Sequence, residues 1–311
     1  MISTSHLRKY DRRTGGVPQT PPPKHRGSGP VTTRPARRTD RRRRLTGPTA
    51  VSAAALLALS ACSASSGTSG TDGAAAGSRS PSAPAGLSGT VTVFAAASLK
   101  ESFTELGTRF EKAHPGTHVS LNFGGSDTLA AGITGGAPAD VFAAASTRTM
   151  SVVTDQGDAD GAPVTFARNQ LEIATLPGNP DRITSLADLT RPGLKVVLCD
   201  ASVPCGAAAR KALDAGGVSL TPVSYEEDVK GALNKVVLKE ADAALVYRTD
   251  VKAAGDKVAG VDFPEAARAV NDYPIVALKN GDNAAAARAF IDLVRSADGR
   301  KVLTDTGFRT P

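Results

Sequence analysis

Ser98, in the run Val91-Thr-Val-Phe-Ala-Ala-Ala-Ser98-Leu-Lys-Glu101, stands where an apolar strand stops and a helix opens. A helix start leaves its first N–H groups without intrahelical partners and carries a partial positive charge, so a hydroxyl beside it suits an anion. Glu101 follows at the spacing of a capping box, which gives Ser98 the plainer task of capping the helix. Three other helix starts share this character. Gly124-Gly125-Ser126 follows a second strand, and two glycines let the main chain turn its N–H groups inward as an anion-holding nest. Cys205-Gly206 opens a third helix, and Ser224 or Asp228 caps one that begins near Val229. One such end is ordinary; four in one body point to a site of convergent N–H donors.

Catalytic chemistry has less to stand on. The body holds only His114 and His118, and Pro115-Gly116 between them makes a turn rather than one helix face, which argues against a metal site. There is no Gly-x-Ser-x-Gly elbow, and no motif sets a histidine beside Ser98. A hydrolase using a helix-capping serine is the competing class, and a sensor or adhesion module is a third.

The elements that must position these residues alternate through 89–311. Strands are expected at 117–123, 139–145, 171–176, 195–199, 243–247 and 273–278, besides the one that opens the body at Val91. Helices are expected at 127–134, 147–156, 185–189, 206–215, 229–239, 284–295 and 298–303, besides the one after Ser98. That order is an α/β fold with mostly parallel sheet, in which ligands sit beyond the carboxyl ends of strands.

The residues before 89 do different work. Residues 1–44 carry 13 Lys and Arg against Asp11 and Asp40, and residues 45–61 carry no charge. The apolar core from Val51 to Ala61 is too short to span a bilayer and suits the central region of an export signal. Leu59-Ser60-Ala61-Cys62 then resembles the bacterial lipobox, in which the cysteine is lipidated and becomes the mature N-terminus. Residues 1–62 are therefore expected to be a lipoprotein signal peptide with a long basic leader. Residues 63–88, nearly all Ser, Gly, Ala, Thr and Pro, form a flexible tether of roughly 28 Å mean span. Removing the leader leaves 24 basic and 28 acidic residues, a net charge of about −4, so the chain's +7 does not imply nucleic acid as a partner. With Cys62 committed to the anchor, Cys199 and Cys205 remain, six apart and outside the membrane, where disulfides persist. They read as a pair closing a small loop before the third helix, or as two free thiols.

Taken together, Val91-Thr-Val-Phe-Ala-Ala-Ala-Ser-Leu, Phe123-Gly-Gly-Ser-Asp-Thr-Leu129, Gly136-Ala-Pro-Ala-Asp-Val-Phe142, Val203-Pro-Cys-Gly206, Asp228-Val229 and Ala244-Leu-Val-Tyr-Arg-Thr-Asp250 resemble the periplasmic molybdate-binding proteins of ABC importers. The resemblance covers essentially all of 89–311. It implies a two-lobed type II periplasmic-binding-protein fold, each lobe a mostly parallel sheet flanked by helices, joined by two crossing strands. One lobe would comprise 89–168 with 275–311 and the other 169–274. Carried over, Ser98 and Ser126 would each offer a hydroxyl and a backbone N–H, Cys205 and Val229 a backbone N–H, and Tyr247 its phenol. The family has a small residue such as alanine where this chain has Cys205, a change that a backbone donor tolerates. Without the resemblance, Tyr247 reads as a core tyrosine at a strand end and Val229 as a core helix residue.

Neutral donors can hold a dianion if they are many and water is excluded. They offer no acceptor to a proton carried by the anion, which separates molybdate or sulfate from phosphate. The implied protein is a monomeric, lipid-anchored, extracytoplasmic binder of molybdate and tungstate. It would have no cofactor, no catalytic residue and an ABC permease as its partner. A sulfate-type binder is the alternative within the fold, and a lipid-anchored serine hydrolase the alternative outside it.

Overall fold

The computed structural model describes residues 86–311. The leader 1–62 with Cys62, and the tether as far as residue 85, lie outside the described residues.

The chain runs β1 (Gly89–Ala96), a 3-10 turn (Ala97–Leu99), α1 (Lys100–Ala113), β2 (Thr117–Gly124), α2 (Ser126–Thr134), β3 (Val141–Ala143), α3 (Thr147–Asp155) and β4 (Ala159–Asn169). It continues through β5 (Leu171–Thr175), a 3-10 turn (Ala187–Thr190), β6 (Val196–Cys199), α4 (Pro204–Gly216), β7 (Ser224–Glu226), α5 (Val229–Val237), β8 (Ala243–Tyr247) and α6 (Arg248–Ala254). After two further 3-10 turns and β9 (Ala259–Val261), it closes with β10 (Asn271–Leu278), α7 (Ala284–Arg295) and α8 (Ala297–Asp305).

Two five-stranded sheets result, in the orders β2-β1-β3-β10-β4 and β7-β6-β8-β5-β9. Each has a parallel trio, β2-β1-β3 and β7-β6-β8, extended by two antiparallel pairings. The sheets are thus mixed where a mostly parallel arrangement is expected from sequence, and the connections explain it. Only Gln170 separates β4 in the first sheet from β5 in the second, and β10 returns to the first sheet from β9. Both entering strands start at the carboxyl edge of the parallel trio, Leu171 opposite Tyr247 and Asn271 beyond the end of β3, so they must run antiparallel to it.

Burial follows the apolar pattern. Val91 and Val93 of β1 are fully buried. Under the first sheet, Phe103 and Phe110 of α1 pack edge-on against Phe290 of α7 at 5.8 and 5.6 Å between ring centres. A separate apolar cluster fills the space around the second sheet. Gly206 is sterically required: a Cβ there would lie 1.8 Å from the Asp200 carbonyl oxygen, because the loop before α4 passes directly over its first turn.

Several local expectations are corrected. Ser98 does not cap α1: it lies inside the 3-10 turn, Leu99 holds the cap position, and no side-chain cap bond forms. Glu101 reaches instead to Lys230. Ser224 belongs to β7, and the cap of α5 is Asp228, whose Oδ1 accepts the Gly231 N–H at 2.9 Å. The strands β4, β7 and β9 and the helix α6 are absent from the sequence reading.

Candidate functional site

The helices of the body differ in how their first turns are finished. Side chains cap α3, α5, α7 and α8, from Ser146, Asp228, Asn283 and Ser296. The 3-10 turn at Ala97, α2 and α4 have no side-chain cap bond, so their leading N–H groups are left for another acceptor. These uncapped starts, together with the first residue of α5, meet at one cavity.

That cavity is small, far below the roughly 300–1,000 Å³ typical of pockets for drug-sized ligands, and suits an ion better than an organic molecule. Ala96, Ala97, Ser98, Gly124, Gly125, Ser126 and Ala145 line it from the first sheet's side. Val203, Pro204, Cys205, Asp228, Val229 and Tyr247 line it from the second. All five residues singled out in the sequence, Ser98, Ser126, Cys205, Val229 and Tyr247, are brought to this one place, and all are buried. Cys205 is joined to Cys199 by a disulfide, tying the first turn of α4 to the end of β6.

The hydroxyls are engaged from behind. Ser126 Oγ accepts the Ala145 N–H at 3.0 Å. Tyr247 Oη accepts from Asn271 Nδ2 at 3.0 Å. Ser98 Oγ lies 2.9 Å from Tyr273 Oη. Burial pushes the Tyr247 phenol well above its ordinary pKa, with Tyr273 and the Asp250 carboxylate adding to the shift, so Tyr247 is a proton-bearing donor at any physiological pH.

No Lys, Arg or His lines the cavity. Its one acid, Asp228, spends Oδ1 on capping α5. A charged cluster of buried Asp250, half-buried Lys230 and exposed Glu101 lies outside the cavity lining. Lys230 pairs with Glu101 of α1 at 2.9 Å and with Asp250 of α6 at 3.0 Å, so it joins elements flanking both sheets. Burial raises the Asp250 carboxyl to about 6, against the pull of Lys230. Burial works against the Lys230 charge too, but Asp250 and Glu101 outweigh it and its pKa is raised. A second link across the cleft runs from the Arg148 guanidinium to the Ser202 carbonyl. Sequence reasoning missed Asn169, Asn271, Tyr273 and Lys230, whose partners lie up to 175 residues away and leave no local signal.

The arrangement offers hydrogen-bond donors on every side of the cavity. Among the described residues the site serines bond to Tyr273 and the Ala145 N–H, and His118 pairs with Glu111 near the C-terminal end of α1.

Residues 91–309 match the family described as bacterial extracellular solute-binding protein. The molybdate-binding protein of Mycobacterium tuberculosis (strain ATCC 25618 / H37Rv) is 48% identical over 239 residues, 76% of this chain and 92% of that protein. The periplasmic molybdate-binding protein of Azotobacter vinelandii has a solved structure similar at a TM-score of 0.63 and 20% identity, over 71% of this chain and 99% of that one. The sulfate-binding protein of M. tuberculosis H37Rv is similar at 0.60 and 19% identity, over 71% and 86%. At these identities the two structures speak for the fold alone, and the fold is shared by proteins named for either anion.

Proposed function

The chain belongs to the bacterial extracellular solute-binding proteins, and we propose that within that family it captures molybdate, and tungstate with it, for delivery to an ABC permease. It is a binding protein and not an enzyme. In this reading one lobe is built on the first sheet and the other on the second, with crossings at Gln170 and before Asn271 where the sequence reading set them at 168/169 and 274/275. The anion sits in the cavity where the carboxyl edges of the two sheets face each other, and binding draws the lobes together. The observation that carries the reading is the cavity itself: five neutral donors from both lobes converge there, in a chain 48% identical to a molybdate-binding protein.

The donors divide by kind. Ser98 and Ser126 each supply a hydroxyl and an N–H, Tyr247 a phenol, and Cys205 and Val229 the first N–H groups of α4 and α5. The helix starts contribute partial positive charge without a cation, so a dianion is held by geometry rather than by a salt bridge.

Calorimetry with molybdate tests this. The unaltered chain should bind molybdate. Tyr247→Phe, which removes one hydrogen bond to a charged oxygen, should lose about 1.5–3 kcal/mol, a factor of roughly 10 to 150. Val229→Ala should lose far less, because only its main chain is used. A larger loss at Val229 than at Tyr247 would mean that the pocket is misassigned, and no molybdate heat from the unaltered chain would overturn the function.

We also propose that lipidated Cys62 holds the protein at the outer face of the cell membrane, on the strength of the sequence pattern before it. Cys62→Ser should leave the protein unprocessed or shed into the medium. A variant that stays processed and membrane-bound would refute the anchor.

A further inference from the structure

Asn169 ends β4 and Asn271 begins β10, and the two face each other in the ladder at the point where the chain crosses between the sheets. Both are buried, and neither lines the cavity. We propose that they are positioning residues: they fix the direction of the site's hydroxyl protons and so set its preference for an oxyanion with no proton over one that carries a proton. The proposal rests on the reading of the cavity as an oxyanion site.

The argument starts from which way each amide faces. Asn271 has an atom 2.7 Å from the Ala145 carbonyl oxygen, which can only accept, so that atom is Nδ2. The same nitrogen lies 3.0 Å from Tyr247 Oη, so the phenol oxygen receives a proton there and must send its own elsewhere. Two acceptors are open to it, Tyr273 Oη beside it and an anion in the cavity it lines, and the charged acceptor, which makes the stronger bond, takes the proton.

Asn169 is fixed in the mirror sense. Its Oδ1 accepts the Gln170 N–H at 3.0 Å, and an N–H can only donate. Its Nδ2 therefore faces Thr249 Oγ1 at 2.8 Å and, more weakly, Tyr273 Oη at 3.5 Å. Tyr273 thus passes its proton to Ser98 Oγ at 2.9 Å, and Ser98 turns its own to the cavity. Ser126 reaches the same state through the Ala145 N–H.

Each site hydroxyl therefore receives one hydrogen bond from behind and has its proton left for the ligand. In a buried network no water competes to reverse this. A hydroxyl so committed has no good lone pair to offer a P–OH group. Because Asn271 joins Ala145 on one side of the cleft to Tyr247 on the other, the polarity is complete only when the two sides meet as they do here.

The test is calorimetry on the full chain with molybdate, sulfate and inorganic phosphate, comparing the unaltered protein with Asn271→Leu. Leucine keeps the volume and removes the donor, freeing the phenol to turn. Molybdate and sulfate should weaken together by about tenfold, while phosphate does not weaken, so the molybdate-to-phosphate ratio falls by about tenfold. A merely structural role would weaken all three anions equally and leave the ratio unchanged, which would overturn the proposal. Asn169→Leu should shift the ratio in the same sense by less, since its contact with Tyr273 is long. If neither variant folds, the unaltered chain still decides. Monofluorophosphate matches hydrogen phosphate in charge and lacks its proton, and should bind about tenfold better. Equal affinity would overturn the donor-only polarity. Failure of the unaltered chain to bind any of the oxyanions would instead remove the underlying reading, and this proposal with it.

Discussion

Gly125→Ala is expected to weaken molybdate binding by two decades or more while leaving the chain folded. Gly125 precedes α2 at φ −58° and ψ 131°, a conformation alanine adopts without strain, so the first lobe has no reason to misfold. The added Cβ would lie 2.6 Å from the Glu227 carbonyl oxygen and 2.9 Å from Asp127 Oδ1. Asp127 can turn aside; Glu227 is main chain of the opposite lobe, two residues before Val229. The methyl is therefore a wedge between the lobes, at the mouth of the cavity. Overpacking of this kind costs about 1–3 kcal/mol. Holding the lobes apart also lengthens the bonds from Cys205, Val229 and Tyr247 to the anion, at about 1.5–3 kcal/mol for each one lost. Together these exceed the roughly 2.7 kcal/mol that corresponds to a hundredfold change. Calorimetry would read the loss, and the melting temperature of the ligand-free variant should stay close to that of the unaltered chain. Affinity unchanged within a few-fold would show that the lobes need not approach as closely as this cavity requires.

The elements around the site were legible in the sequence from strong local signatures, while the places of Cys205, Val229 and Tyr247 in it came only with the family resemblance. Gly124-Gly125-Ser126 punctuates a strand-to-helix turn, Pro204 sets a first helical turn, and Ala243–Tyr247 is an unbroken apolar strand. What failed was local logic where a distant partner won. Ser98 and Glu101 have the spacing of a capping box, but Glu101 lies beside Lys230, 129 residues on, and Ser98 beside Tyr273, 175 residues on. β4 was invisible because Gly161 and Pro163 read as breakers; it is an edge strand, where a missing N–H is tolerated, and its pairing with β10 is irregular. The mixed sheets were not legible because strand direction is set by where the chain crosses, at Gln170 and before Asn271, and nothing in the composition of β5 or β10 records it. Asn169 and Asn271 carry no signal in the sequence, since their roles appear only when Ala145, Tyr247 and Tyr273 are brought to them.

The largest difference the site should produce is between anions. A cavity lined by fixed N–H and O–H donors gauges the size of its ligand as well as its charge. Molybdate and tungstate are nearly equal in size, and both are larger than sulfate. A donor set spaced for the larger ion cannot contract around sulfate without stretching several hydrogen bonds, which weaken steeply with distance. Losing two charge-assisted bonds at about 1.5–3 kcal/mol each lowers affinity by roughly two to four decades. Hydrogen phosphate should be weaker again, since its proton meets no acceptor. Calorimetric titration of the purified protein with molybdate, tungstate, sulfate and phosphate, in one buffer, puts this to the test. The account predicts that molybdate and tungstate bind with comparable affinity, sulfate at least a hundredfold more weakly, and phosphate most weakly of the four. Sulfate binding as tightly as molybdate would contradict it and make this a sulfate-type binder on the same fold.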